Sequence, residues 1–260
     1  MPDTPVRIGV LIAPLGAGDD SLALKYLLLH QNTLQRSFKF HLLPVPDDVL
    51  IHRLTHDQKP DRQQLEDAMP QFVQRYRQTL HEFAIGYDLQ PESPFPIIIL
   101  STATFTDNYS LTSGDDWAII ALGNWHRVMA PPSILEFFLS LLVESSIDFA
   151  CGDNFPNRHV TTTGCCFDFT AELADARFSV LSGFLCSDCI SAISNAHSKQ
   201  LASDAKLLLQ KAWLGTVAAP SDVSVTAKKL GHDLFHTKGD RKSTRLNSSH
   251  GGISRMPSSA

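Results

Sequence analysis

The sequence predicts an α/β or α+β domain, a mixed β-sheet with packed helices, followed by a Cys-rich segment toward the C-terminus. Three observations lead there. β-rich apolar runs alternate with stretches of helical spacing along the first half of the chain. Two apolar runs, Phe95–Phe105 and Trp117–Leu122, then follow one another with a turn signal between them, the pattern of adjacent strands. All five cysteines fall between Cys151 and Cys189.

Val6–Ala13 is β-branched and apolar and stops at Pro14, which marks a first strand. Asp19, Asp20 and Ser21 offer N-cap oxygens, and Leu22, Tyr26 and Leu29 then recur at helical spacing. Phe38–Val45 alternates as a second strand. Pro46, Asp47, Asp48, Lys59 and Pro60 make the stretch after it loop-like. From Arg62 to Ile85, Leu65, Met69, Phe72, Val73, Tyr76, Leu80 and Phe83 lie on one helical face, with Pro70 marking a break or a late start. Phe95–Phe105 and Trp117–Leu122 read as buried strands, paired as a hairpin or as neighbours around the Ser113–Gly114–Asp115 turn. Pro131, Pro132 and Ser133 start a helix whose apolar residues, from Ile134 to Val143, cover most of its circumference, so it belongs in the core. A last helix is expected from Cys189 to Trp213, closing at Gly215, and Ala218–Asp222 reads as a linker.

The chain has 260 residues, 43% of them hydrophobic, enough apolar material for a sizeable core and too much for a disordered or fibrous protein. No apolar stretch approaches the ~20 residues of a spanning helix, and no signal peptide is recognisable. The expectation is a cytosolic protein with no membrane contact. With 22 Lys+Arg against 27 Asp+Glu and no basic stripe, nucleic acid is not expected as a partner; a protein or a small molecule stays open. The expected organisation is one domain over residues 1–215 carrying a metal segment at 151–194, then a linker and the start of a further region over 216–239.

An odd number of cysteines crowded into one segment argues against a disulfide framework and for a metal. His159 is followed by five residues and Cys165–Cys166, and further on by Cys186–Ser187–Asp188–Cys189. A CxxC turn sets two thiolates on one side of a tight loop, and a distant His/Cys pair completes a tetrahedron. Thiolate and imidazole are the preferred ligands of structural zinc, so the candidate site is His159, Cys165, Cys186 and Cys189 around Zn2+. Adjacent cysteines seldom both bind one ion, so Cys166 competes with Cys165. A group of buried free thiols and a redox CxxC are the alternatives.

The order strand, long apolar helix, His159, Cys165–Cys166 and CxxC, over about Trp117 to Ser194, resembles the archaemetzincins. These are zinc peptidases in which an HExxH helix runs into a Cys-rich structural zinc site. The resemblance implies that Cys186 and Cys189 match the family's CxxC and Cys165 the cysteine before the turn. His159 falls one residue beyond the first structural cysteine, and Phe167 falls at the methionine-turn position. HExxH requires two imidazoles one turn apart with a Glu to polarise water, whereas the corresponding residues here, Val143–Asp148, contain Glu144 and no histidine. The expected function is therefore non-catalytic: a zinc-stabilised domain of degenerate metallopeptidase-like fold, acting by binding or as a regulatory module of a larger protein. The alternative is an active metal-dependent hydrolase with a relocated site.

Residues for a relocated site are sparse. His52 and His56 stand at i,i+4, but Arg53 occupies the position of the Glu. Gly16–Ala17–Gly18 is a weak phosphate cradle because Asp19 and Asp20 follow it, and helix capping explains the acids better. Asp107, Asp115 and Asp116 read as turn residues before they read as a carboxylate site. From about Asp240 the sequence becomes rich in Ser, Arg and Gly with no apolar period. It resembles a translated sequencing adapter, so residues 240–260 are expected to be an artefactual tail of an intact protein that continues past Gly239. Deleting everything after Gly239 should leave metal content and melting temperature unchanged. A fall of several degrees would assign the tail to the fold.

Overall fold

The computed structural model describes residues 4–16, 20–89, 95–152, 158–160, 163–170 and 173–235. Five strands, β1 (Val6–Ile12), β2 (Phe38–Leu42), β3 (Ile97–Ser101), β4 (Leu111–Ser113) and β5 (Trp117–Ala121), form one sheet in the order β2-β1-β3-β5-β4. The first four in that order run parallel, and β4 pairs antiparallel with β5 at the edge. The mixed sheet is present, and of the two arrangements expected for the runs at Phe95–Phe105 and Trp117–Leu122 the neighbouring one holds and the hairpin does not. β3 and β5 are parallel neighbours, Ile97 opposite Trp117, and the turn at Gly114 joins β4 to β5. There Gly114 N–H donates to the Trp117 carbonyl at 2.9 Å. β4 has three residues, too few to register as an alternation.

Eight helices surround the sheet among the described residues: α1 (Ser21–Leu34), α2 (Val49–Arg53), α3 (Arg62–Gly86), α4 (Ile134–Cys151), α5 (Arg177–Ser182), α6 (Ser187–Ala196), α7 (Lys199–Gln210) and α8 (Asp222–Lys229). Strand residues alternate between two apolar cores. Ile8, Val10, Phe38, Phe40, Ile98, Leu100, Ala118 and Ile120 face α1, α4 and the C-terminal helices. Leu11, Ile97, Ile99, Trp117 and Ile119 face α2 and α3. Because helices cover both faces, β3 and β5 are buried at every position.

α1 forms where expected but turns a different face inward. Ala23, Leu24, Leu27 and Leu28 are buried, while Leu22 and Leu29 of the expected stripe are 61% and 48% exposed. Two apolar sets share this helix, and the sheet selects the wider one. Nor does Asp20 cap it, since its carboxylate is turned to His232, 3.0 Å away. Ala17, Gly18 and Asp19, the rest of the cradle and cap, lie outside the described residues.

The loop expected after β2 contains α2, capped by Asp48, which accepts from Leu50 N–H at 2.8 Å. Leu50, Ile51 and Leu54 are buried there. α3 runs unbroken through Pro70, which stands on its exposed side where water can serve the carbonyl left unbonded. α4 opens with a reciprocal cap: Glu136 N–H donates to Ser133 Oγ at 3.3 Å, and Ser133 N–H donates to the Glu136 carboxylate at 2.7 Å. The single helix expected from Cys189 to Trp213 is two, α6 and α7, because Ser198 accepts from Leu201 N–H at 3.2 Å and restarts the chain in a new direction. After the Ala218–Asp222 stretch, α8 packs on α1, and Ala227 and Leu234 enter the same core as α4.

The choice of face in α1 is directly testable. Leu28→Ala should cost about 2–5 kcal/mol by urea unfolding, the range for a truncated core leucine, and Leu29→Ala within about 0.5 kcal/mol of zero. Equal losses would return the helix to the Leu22–Leu29 face.

Candidate functional site

The CxxC is the first turn of α6. Cys186 is its N-cap residue, and its sulfur accepts from Cys189 N–H at 3.4 Å, so helix geometry sets both thiols on one side of the turn. Cys165 approaches from the connection between α4 and α5, with its Sγ 3.8 Å from Cys189 Sγ and 3.5 Å from the Cys186 backbone nitrogen. His159 closes the group: its Nε2 lies 3.2 Å from Cys189 Sγ and 3.3 Å from Cys186 Sγ. All four ligand atoms lie within 4.8 Å of one another, close enough to hold a metal ion.

Two local devices position the loop ligands. A short bridge pairs His159 with Asp168: His159 N–H donates to the Phe167 carbonyl and Phe169 N–H to the His159 carbonyl, each at 2.9 Å. Asp168 is buried, and its carboxylate accepts from Thr163 N–H at 2.7 Å, Thr163 Oγ1 at 2.6 Å and Gly164 N–H at 2.6 Å. That clamp turns the chain through Gly164, at φ +81°, and delivers Cys165 to the cluster. The sequence signal for it was a carboxylate just past a Thr-Thr-Thr-Gly run, a turn signature that carries no metal ligand.

The five thiols divide cleanly. Cys165 is held well below the ordinary cysteine range, at about 5, chiefly by the Cys189 thiol and by the N–H groups of Phe167 and Cys186. Cys189, beside that thiolate, is pushed up. Cys166 points away, toward the Ser179 carbonyl at 3.6 Å, and burial raises its thiol. Cys151, at the end of α4, is likewise raised by burial, to about 11. The structure therefore assembles the set that the sequence singles out and leaves Cys166 as packing.

A cleft of about 320 Å³ lies between edge strand β4 and α4, walled by Arg62, Tyr109, Thr112, Arg158 and Phe169, with Glu144 at its base. Glu144 is the residue that periodicity hides, a carboxylate 3% exposed in the buried part of α4. Burial raises its carboxyl to about 7 against the opposing attraction of Arg158, whose Nη1 is 3.2 Å away. Asp148, one turn on, is raised by burial as well.

The remaining candidates do not converge. His52 pairs with Asp47 at 2.8 Å and His56 with Asp57 at 3.1 Å, all largely exposed. Asp107 is bound to Arg62 at 2.6 Å, Asp116 to Arg77, and Asp115 stands in the turn. Among the described residues the His/Cys group is the one set able to hold a metal, and no helix is long and apolar enough to cross a membrane. No protein-family model, curated protein or solved structure matches the chain.

A carboxyl raised from 4.5 to about 7 binds its proton more tightly in the folded than in the unfolded chain. Its contribution is favourable at low pH and is lost as pH rises from about 4.5 to 7, by on the order of 3 kcal/mol. Glu144→Gln keeps the shape without the charge. Its urea midpoint should gain on the wild type between pH 5 and pH 8, and a difference flat with pH would mean that Glu144 titrates as an exposed acid does.

Proposed function

We propose that this chain is a non-catalytic, zinc-stabilised domain of degenerate metallopeptidase-like fold that acts by binding or as a regulatory module of a larger protein. The observation that carries the reading is the set of three sulfurs and one imidazole nitrogen gathered within 4.8 Å beside a helix without histidine. Zinc bonds of ~2.3 Å to sulfur and ~2.1 Å to nitrogen give a tetrahedron with edges of ~3.8 Å between sulfurs and ~3.6 Å from nitrogen to sulfur. The separations of 3.8 Å and 3.2–3.3 Å lie close to those edges. Soft donors favour zinc over magnesium or calcium, and four protein ligands fill its shell, leaving no position for a reacting water.

α4 supports the non-catalytic half of the reading. Val143 and Ile147 are buried apolar residues one turn apart, where a peptidase helix would present imidazoles. Glu144 keeps a carboxylate beside them, held by Arg158. A cleft with a charged base, an aromatic wall and a sheet edge suits binding, and we place the ligand or partner there.

Purified protein should contain about one zinc per chain by elemental analysis. Cys186→Ser or Cys189→Ser should abolish it together with the soluble fold, because structural zinc contributes on the order of 10 kcal/mol. Cys165→Ser should lose zinc where Cys166→Ser retains it. Metal-free protein that folds normally would overturn the zinc assignment, and a second, exchangeable ion would favour an active hydrolase with a relocated site.

A further inference from the structure

A second cavity, of about 280 Å³, opens at the carboxyl ends of the parallel strands, the side on which open α/β sheets bind small ligands. Its wall is built from three chain segments. Asp20 stands immediately before α1, Trp125 and Arg127 come from the connection between β5 and α4, Ser133 starts α4, and His232 and Asp233 follow α8. None of these belongs to the His/Cys cluster or to the β4–α4 cleft.

The hydrogen-bonding capacity of this wall is unevenly filled. Both carboxylates have partners: Asp20 holds His232 Nδ1 at 3.0 Å, and Asp233 holds Lys228 Nζ at 2.7 Å. Ser133 is committed to the α4 cap. Two ring nitrogens, Trp125 Nε1 and His232 Nε2, are buried with no partner. The Arg127 guanidinium, exposed at the rim, makes no hydrogen bond or ion pair among the described residues. An indole N–H only donates, and so does a guanidinium, so most of the unfilled capacity calls for an acceptor of negative charge. The imidazole differs. Asp20 accepts from Nδ1–H, and Nε2 is left facing no partner, where a hydroxyl, able both to donate and to accept, can pair with it.

We propose that this cavity binds a small hydroxylated organic oxyanion, its anionic group held by Arg127 and Trp125 and its hydroxyl hydrogen-bonded to His232. The planar guanidinium fork suits a carboxylate and a phosphate alike, and the volume admits a small metabolite-sized molecule rather than a polymer. The Asp20–His232 pair then has a use beyond tying residues 231–235 to α1, since it orients the imidazole that the ligand meets.

The test uses the full chain with its metal in place. Malate and glycerol 3-phosphate are titrated in separate arms by calorimetry and by intrinsic tryptophan fluorescence, at constant ionic strength, with succinate as the malate analogue lacking the hydroxyl. We expect saturable binding in at least one arm, and the arm that binds identifies the anionic group. Arg127→Ala, an exposed change that spares the fold, should weaken binding about tenfold or more, and Trp125→Phe should weaken it and remove the fluorescence change. Succinate should bind severalfold more weakly than malate if the carboxylate arm binds. Absence of saturable binding in both arms, or binding indifferent to Arg127→Ala, would overturn the proposal. Zinc content measured on the same variants separates this outcome from failure of the metal site.

Discussion

Burial of α4 on nearly every side is the constraint from which the rest of the architecture follows. Residues from Leu135 to Ile147 are buried almost without interruption, so the helix cannot lie on the surface of a two-layer sheet domain. One side rests on β1, β3 and β5; the other needs a cover, which α5, α6, α7 and the Cys-rich segment supply. The four residues His159, Cys165, Cys186 and Cys189, close enough together to hold a metal ion, sit within this cover, where the loop from α4 meets the start of α6.

The same burial explains the electrostatics along α4. Ser140, Glu144 and Asp148 follow one another at intervals of four, forming a polar seam on an apolar helix. Two cations meet it. Lys211 is buried and donates to Ser140 Oγ at 2.9 Å and to the Leu209 carbonyl at 2.7 Å, while Arg158 serves Glu144 and reaches Asp148 at 3.7 Å. Burial lowers the Lys211 ammonium and raises the Glu144 carboxyl, so both groups are held nearer neutrality than in water. Removing Glu144 would leave the half-buried Arg158 with only its longer contact to Asp148, and removing Arg158 would leave Glu144 buried beside Asp148 without a counter-charge.

Legibility in the sequence tracked the physical range of each signal. β1, β3, β5, α3 and α4 were readable because long apolar runs or repeated helical spacing outweigh local ambiguity. The His/Cys group was readable because CxxC and a His/Cys pair are chemically narrow choices. Short elements were not: α2 and β4 hold too few residues for a period to emerge. The direction of β3 relative to β5 depends on a long-range register that no local pattern encodes. For α1, two apolar stripes competed and only the sheet decided between them. Asp168 and Glu144 stayed hidden because their roles come from what folds around them, namely Thr163 and Gly164 for one and Arg158 for the other.

The shortness of β4 bears on how this molecule meets others. At three residues it is the outer margin of the sheet beside the cleft, and its unpaired backbone groups are few. A flat, long margin would recruit a second sheet indiscriminately and seed aggregation; one this brief offers an incoming chain only a couple of main-chain bonds. Any partner extending the sheet here must gain most of its affinity from side chains in the adjoining hollow. This edge of the sheet is thereby biased toward chemical discrimination and against generic strand exchange.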